Sequence, residues 1–262
     1  MPGKQRAADP AGRLARAPGD TEVMLSTHQV LEILEHGSVE TIGLLPYSSN
    51  YAFLATVCLD GVEMKSVYKP RRGERPLWDF PHGTLAAREC AAYVISESGG
   101  WEVVPPTVLR ADAPMGEGSV QQFIPHDPNK HYFVLAEERP ADFPSLAAFD
   151  IVINNADRKA GHVIEDEAGK LWAVDHGLSF NVEDKLRTVI WEFAGNPLGA
   201  ELVERLQALS DRLRDLDGLG GELGALLSPE EAAATLARIE ALIADGRFPV
   251  PESEYRLPWP LV

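Results

Sequence analysis

The chain has 262 residues, of which 45% are hydrophobic, and its formal net charge is −16 at pH 7. This length suffices for one large core or for two small lobes around a cleft. So acidic a chain argues against a nucleic-acid partner and against constitutive attachment to anionic lipid, because both need Lys and Arg side chains that neutralise phosphates. The apolar runs fall short of the roughly 18 residues that span a bilayer, so we expect no stable membrane insertion.

The two cysteines, Cys58 and Cys90, have no CxxC spacing. This predicts neither a disulfide framework nor a zinc site, and it is typical of a protein in the reducing cytosol. We therefore expect a cytoplasmic protein. Residues 1–22 are rich in Ala, Gly, Pro and Arg and lack the apolar segment of a signal peptide, which predicts a disordered N-terminal extension.

Residues 23–125 are predicted to form a strand-rich N-lobe with the connection to the next lobe. A short amphipathic helix begins after Ser26 and ends before Gly37, and three strands follow, the last two joined by a hairpin turn at Asp60-Gly61. Thr84 is the predicted N-cap of a second helix, and two further strands come after it.

Residues 126–262 are predicted to form a helical C-lobe. An apolar segment over 145–156 predicts a buried helix, and 162–177 predicts a hairpin that turns at 167–169. The sequence Ser-Pro-Glu-Glu at 228–231 is typical of a helix start, and Gly246 marks its end. Together the two halves predict an α+β fold.

Lys69 ends the strand in SVYKP, and Glu89 lies in the middle of the helix that follows. A lysine at this position can bring its ammonium group to ATP phosphates in a cleft between the lobes while a glutamate pairs with it. The alternative is a lysine that merely ends an exposed strand. The order of strand, helix and central acidic residue favours the phosphate-binding interpretation.

Asp157 lies in the polar loop NNADRKAGH, directly after the apolar helix. A carboxylate beside cations and an imidazole can orient an attacking hydroxyl and accept its proton, while Arg158 or Lys159 offsets the charge on a transferred phosphoryl group. The alternative is a solvated loop that caps the end of the helix. It accounts for Asn155 or Asp157, but less readily for so many different polar residues directly after an apolar helix. We predict Asp157, Arg158 and Lys159 as catalytic residues.

Asp175 follows the strand-like run LWAV and precedes His176-Gly177. Mg²⁺ prefers carboxylate and phosphate oxygens, so an Asp at a strand end can hold a metal that also contacts ATP. Asp-x-Gly is also an ordinary turn. The spacing of 18 residues from Asp157 (175 − 157), with a hairpin between, brings both carboxylates to the same end of one small sheet and favours the metal site.

These motifs resemble those of the phosphatidylinositol 3- and 4-kinase-related proteins of actinobacteria. They are also similar to type II phosphatidylinositol 4-kinases and, more distantly, to HipA-type kinases. The resemblance covers residues 47–180, about half of the chain, through YKP, REC-AAY, GSVQQF, NNADR and VDHGLSF. It implies a bilobal protein-kinase-like fold of the PI3/PI4-kinase type.

The resemblance also implies an ATP-dependent kinase that uses Mg²⁺ or Mn²⁺ and transfers phosphate to a hydroxyl of a lipid or protein. Asp157 would be the catalytic aspartate, with Arg158, and Asp175 the metal-binding one. The residues implied to contact ATP are Lys69 with its supporting Glu89, and, around the adenine, Gln122, Phe123 and Ile124.

Two positions depart from the family pattern. His162 stands where the family usually has a metal-binding asparagine, and imidazole favours transition metals such as Mn²⁺ over Mg²⁺. We therefore group Asp175, His162 and Asn155 as candidate metal ligands. The predicted phosphate-covering loop, Ser48, Ser49 and Asn50, contains no glycine. These departures favour, as an alternative, a catalytically weak or inactive ATP-binding pseudokinase that acts as a regulatory module. An enzyme of the same fold that transfers AMP is a third hypothesis, which no feature of the sequence specifically favours.

Overall fold

A computed structural model of the chain describes residues 25–45, 51–251 and 256–262. The predicted disordered extension, 1–22, and the predicted phosphate-covering loop at Ser48, Ser49 and Asn50 lie outside the described residues. Within the described ranges, no helix combines the length and the apolar character needed to cross a membrane.

The N-lobe contains one antiparallel sheet, with strands β1 (Ser38–Leu44), β2 (Phe53–Leu59), β3 (Val62–Pro70), β4 (Thr107–Arg110) and β5 (Gly118–Gln122). Their spatial order is β1-β2-β3-β5-β4, so β3 lies at the centre. The predicted hairpin between β2 and β3 is confirmed. Its turn residues Asp60 and Gly61 have φ of +50° and +81°, the left-handed conformation that an Asp-Gly turn accommodates.

Helix α1 (Thr27–His36) covers one face of this sheet, as its apolar spacing predicts. Ser26 and Gln29 cap it reciprocally. Val30 and Leu34 pack with Tyr68 of β3 in a small core. The Arg110 guanidinium donates to the carbonyls of Leu34 and Gly37 at 2.9 and 2.8 Å, which ties the end of the helix to β4.

Helix α2 (Leu85–Ser98) follows the loop after β3. Its predicted N-cap, Thr84, precedes the helix but accepts no capping hydrogen bond. Glu74 accepts instead from the backbone N–H groups of Leu85 and Ala86, at 3.1 and 3.2 Å. The predicted N-cap position of Thr84 is confirmed, but the capping hydrogen bonds come from a carboxylate of the preceding loop, which also interacts favourably with the helix dipole.

The C-lobe comprises α3 (Tyr132–Glu138), α4 (Phe143–Ile153), a hairpin of β6 (Val163–Glu165) and β7 (Leu171–Ala173), α5 (Ala200–Leu213), α6 (Leu219–Gly224) and α7 (Pro229–Asp245). The buried helix, the hairpin and α7 confirm their predictions. α7 begins with a reciprocal cap between Ser228 and Glu231 and ends at Gly246, whose φ is +61°. Its apolar face packs with α4 and α5 in the largest core, which confirms the α+β class and the helical C-lobe.

Candidate active site

Lys69, at the end of β3, reaches into the cleft between the lobes. Its Nζ contacts Glu89 Oε1 of α2 and lies 2.8 Å from Asp175 Oδ1 of the C-lobe. Burial alone would lower the pKa of Lys69, but Asp175 and Glu89 together raise it above its usual value. The ammonium group therefore stays charged and is the cation that bridges the two lobes.

Glu89 connects this lysine to the C-lobe. Its Oε1 accepts from Lys69, and its Oε2 accepts from the backbone N–H of His176 at 3.0 Å. The side chain is almost fully buried, so both carboxylate oxygens are held in defined contacts. The structure thus brings together the predicted pair of Lys69 and Glu89, and it adds a backbone contact beside Asp175.

Asp175 follows β7 and has a left-handed φ of +63°. A non-glycine residue in this region costs about 1–3 kcal/mol and tends to occur at functional sites. Lys69 holds the pKa of the Asp175 carboxyl well below its usual range, against the effect of burial. Half of the side chain, 51%, is exposed. Asp175 is therefore an ionised and accessible carboxylate.

His162 faces the second oxygen of this carboxylate, with Nε2 at 3.4 Å from Asp175 Oδ2. Burial, with Arg158, Lys159 and Lys69 nearby, lowers the pKa of His162 to about 4. The ring is therefore neutral at pH 7. Its Nδ1 accepts from the Lys159 backbone N–H at 3.5 Å, which leaves the proton on Nε2. A metal bound at Nε2 would require this proton to leave.

Asp175 and His162 thus offer one carboxylate and one imidazole to a cation. The described residues contain no group of three or more His, Cys, Asp or Glu side chains placed to hold a metal by themselves. Mg²⁺ in phosphoryl-transfer sites commonly takes one or two carboxylates and completes its shell with phosphate oxygens and water. The donor set fits a divalent cation that arrives with a nucleotide.

Asp157 lies in the loop after α4, and a quarter of its side chain is exposed. Burial raises the pKa of Asp157, although Lys159, whose Nζ lies 3.1 Å from Asp157 Oδ2, opposes this effect. The Asp157 backbone N–H donates to Asn155 Oδ1 at 3.0 Å, which shapes the loop. A partly exposed carboxylate with a raised pKa suits the acceptance of a proton.

Arg158 and Asn155 are turned into the protein. Arg158 is fully buried and donates to both oxygens of Asp150, at 2.9–3.1 Å, and to His176 Nε2 at 2.7 Å. Asn155 is also fully buried and donates to Asp150 Oδ1 at 3.1 Å. This corrects the direct contacts predicted for them with phosphate and metal, because the buried charge of Asp150 engages both side chains. Their position suits them to hold the loop.

The residues predicted to contact adenine lie at the end of β5, where neighbouring side chains face opposite sides of the sheet. Paired residues share a face, and β3 pairs with β5 so that Lys69 faces the same side as Ser119 and Gln121, while Gln122 lies on the opposite side. The side chain of Gln122 therefore faces away from Lys69, and the contact of this residue with adenine stays a prediction. Phe123 donates its N–H to the Lys65 carbonyl at 3.1 Å and is half-buried.

Ile124 is buried, and its carbonyl lies 2.8 Å from His126 Nδ1. The sequence reasoning missed Gln121, although alternation along β5 identifies the residue on the face of Lys69. It also missed Asp150, whose signal is a single charge in the otherwise apolar helix α4.

No known protein-family model matches the chain. Protein Rv2133c of Mycobacterium tuberculosis is 34% identical over an alignment of 267 positions, and the match covers 87% of this chain and 94% of that protein. Phosphatidylinositol 4-kinase gamma 4 of Oryza sativa subsp. japonica is 30% identical over 187 residues, 62% of this chain. The match spans 32% of the rice protein's length.

Among solved structures, that of hydra Fam20 with sugar aligns with a TM-score of 0.56 at 15% identity, over 84% of this chain and 87% of that one. At this identity the likeness concerns the fold alone. The predicted bilobal kinase-like fold is thereby confirmed.

Proposed function

The chain belongs to the family of Mycobacterium tuberculosis protein Rv2133c, and we propose that it transfers the γ-phosphate of ATP to a hydroxyl group of an acceptor. The contact of Lys69 with both Glu89 and Asp175 carries this proposal. A cation held by a helix carboxylate, beside an accessible aspartate, is the arrangement that phosphoryl transfer requires for phosphate and metal. The likeness to the rice phosphatidylinositol 4-kinase supports the same reaction class.

ATP binding would engage Lys69 with phosphate oxygens, while Glu89 keeps the ammonium group directed into the cleft. Asp175 and His162 would hold a divalent cation, which offsets charge on the phosphates. We propose Mg²⁺ or Mn²⁺ in this role. The His162 nitrogen favours Mn²⁺, because imidazole is a better ligand for transition metals than for Mg²⁺.

Asp157 would orient the acceptor hydroxyl and take its proton. The hydroxyl oxygen forms a bond to the γ-phosphorus, the bond from that phosphorus to the β–γ bridging oxygen breaks, and ADP leaves with the bond's electrons. The proton passes to the Asp157 carboxylate. Lys159, whose side chain is partly buried and lies 3.1 Å from that carboxylate, would offset charge there.

The proposed acceptor is a lipid or protein hydroxyl. The likeness to the rice phosphatidylinositol 4-kinase makes a phosphatidylinositol the first lipid to test. Incubation with [γ-³²P]ATP and vesicles that contain phosphatidylinositol, or with a Ser/Thr protein substrate, separates the two acceptor classes by which product carries the label. The intact mass of the product distinguishes phosphate from AMP transfer.

The decisive comparison is the turnover of ATP by the wild type and by Asp157→Asn, each with Mg²⁺ and with Mn²⁺. We expect Asp157→Asn to lower turnover about 10²-fold or more, the usual contribution of a positioned general base, while ATP still binds. Equal background turnover by both proteins would reject the proposal that the chain is an enzyme. ATP binding without turnover would instead support the pseudokinase, which the His162 substitution favours.

A further inference from the structure

Arg88 is the residue before Glu89 on α2, and its side chain is fully buried. One terminal nitrogen donates to the Ser179 carbonyl, and the other donates to Glu231 Oε1. Its Nε donates to Thr84 Oγ1 at 3.2 Å. The guanidinium group therefore joins α2 to the segment after Asp175 and to α7.

Glu231 is itself held in place. Its Oε2 accepts from the backbone N–H of Ser228 at 3.0 Å, so the same carboxylate caps α7 and binds Arg88. Loss of one partner of a buried ion pair strongly destabilises the folded protein, because the other charge stays buried without compensation. Arg88 thus meets a rigid partner at the start of a C-lobe helix.

The far end of α2 is also attached to the C-lobe. Arg212 of α5 donates to the Ser98 carbonyl at 2.6 Å. Ala91 and Ile95 of α2 belong to the large core that contains α4, α5 and α7, whereas Tyr68 of β3 belongs to the small core beneath α1. Helix α2 also packs on β4 and β5, so these buried anchors tie a helix of the N-lobe to the C-lobe.

We propose that Arg88 is a positioning residue that fixes α2 to the C-lobe, so that Glu89 stays in contact with the His176 amide and ready for Lys69 before any nucleotide binds. The inference rests on the proposed function for its effect on ATP. The catalytic lysine then finds its carboxylate partner already in place. Assembly of this pair therefore needs neither a partner protein nor a modification.

Arg88→Lys tests this anchor, because a lysine keeps the charge but loses the two-pronged contact with Ser179 and Glu231. Arg238→Lys is the matched control. Arg238 lies on α7 and donates to the carbonyls of Val152 and Asn181, each at 3.1 Å, and these contacts remain within the C-lobe.

Amide hydrogen exchange of the nucleotide-free protein measures directly how firmly α2 is held. We expect the amide of His176, which donates to Glu89, and the amides of α2 to exchange about tenfold faster in Arg88→Lys and at the wild-type rate in Arg238→Lys. Equal exchange in the two variants would overturn the inference. If Arg88→Lys does not fold, Glu231→Gln replaces it, because a glutamine oxygen can still cap Ser228 while Arg88 loses its charged partner.

A double-mutant cycle on the dissociation constant of ATP tests whether Arg88 acts through Lys69. We expect Arg88→Lys to weaken ATP binding about tenfold in the wild type and to have little further effect in Lys69→Met. Additive losses would contradict a role through Lys69. Should the wild type fail to bind ATP, the proposed function falls, whereas hydrogen exchange still decides whether Arg88 holds α2.

Discussion

Lys69 Nζ lies 2.8 Å from Asp175 Oδ1, so the cation proposed for ATP phosphates and the carboxylate proposed for metal are paired with each other across the cleft. Asp175 adopts a left-handed backbone conformation at this contact. In the proposed reaction, nucleotide and metal would have to replace this ion pair with contacts of their own. Glu89, which contacts Lys69 from the other side, keeps the lysine in place during that exchange.

Lys69→Met should weaken ATP binding about tenfold or more, because a hydrogen bond to a charged group contributes roughly 1.5–3 kcal/mol. Isothermal titration with ATP and Mn²⁺ measures the dissociation constant. Lys65→Met is the control, since Lys65 lies on the same strand and the same face but nearer the hairpin. Similar weakening by both substitutions would assign the effect to the net charge of β3 and would argue against a specific contact.

His162→Asn should shift the metal preference of turnover from Mn²⁺ towards Mg²⁺. An amide oxygen is a suitable ligand for Mg²⁺. It replaces an imidazole ring whose Nε2 carries a proton towards Asp175. The measurement is the ratio of the turnover rates with the two metals. His82→Asn, in the exposed loop before α2, should leave the ratio unchanged. An unaltered ratio in His162→Asn would exclude His162 from the metal site.

Arg158→Met should lower the free energy of unfolding by about 3–5 kcal/mol, because it leaves the buried Asp150 carboxylate without its counter-charge. Urea unfolding at pH 7 measures the change. Arg214→Met, at an exposed pair with Glu240, should cost about 1 kcal/mol or less. A loss of that smaller size at Arg158 would mean that the ion pair with Asp150 contributes little to the stability of the folded protein.

We expect Glu165 to make the free energy of unfolding depend on pH in the acid range. Lys130 donates to it at 2.6 Å and Arg139 at 2.7 Å, and these hydrogen bonds hold the pKa of Glu165 below its ordinary 4.5 despite some burial. A depressed pKa stabilises the folded state above the ordinary value, and this contribution is lost as the pH falls through the folded-state pKa.

We therefore expect the wild type to lose more unfolding free energy between pH 5 and pH 3 than Glu165→Gln does, by chemical denaturation at each pH. Glu167→Gln, exposed at the turn of the same hairpin, should follow the wild type. A parallel decline in wild type and Glu165→Gln would show that the contacts with Lys130 and Arg139 do not survive in solution.

Features that depend on near neighbours in the chain can be predicted from the sequence alone. The spacing of apolar residues and the reciprocal caps identify α1 and α7, and Asp60-Gly61 identifies the central hairpin, because these signals act within a few residues. The order of Lys69, Glu89, Asp157 and Asp175 likewise indicated the candidate active site before any coordinates.

Which side chains face the cleft depends instead on how distant parts of the chain pack together. Arg158 and Asn155 turn inward because Asp150, in the preceding helix, is buried and needs their hydrogen bonds. Gln122 faces away because its strand pairs with β3 in one register. Arg88 meets Glu231 across 143 residues of chain. Contacts between such distant residues form only when the lobes pack, and no local pattern of the sequence encodes them.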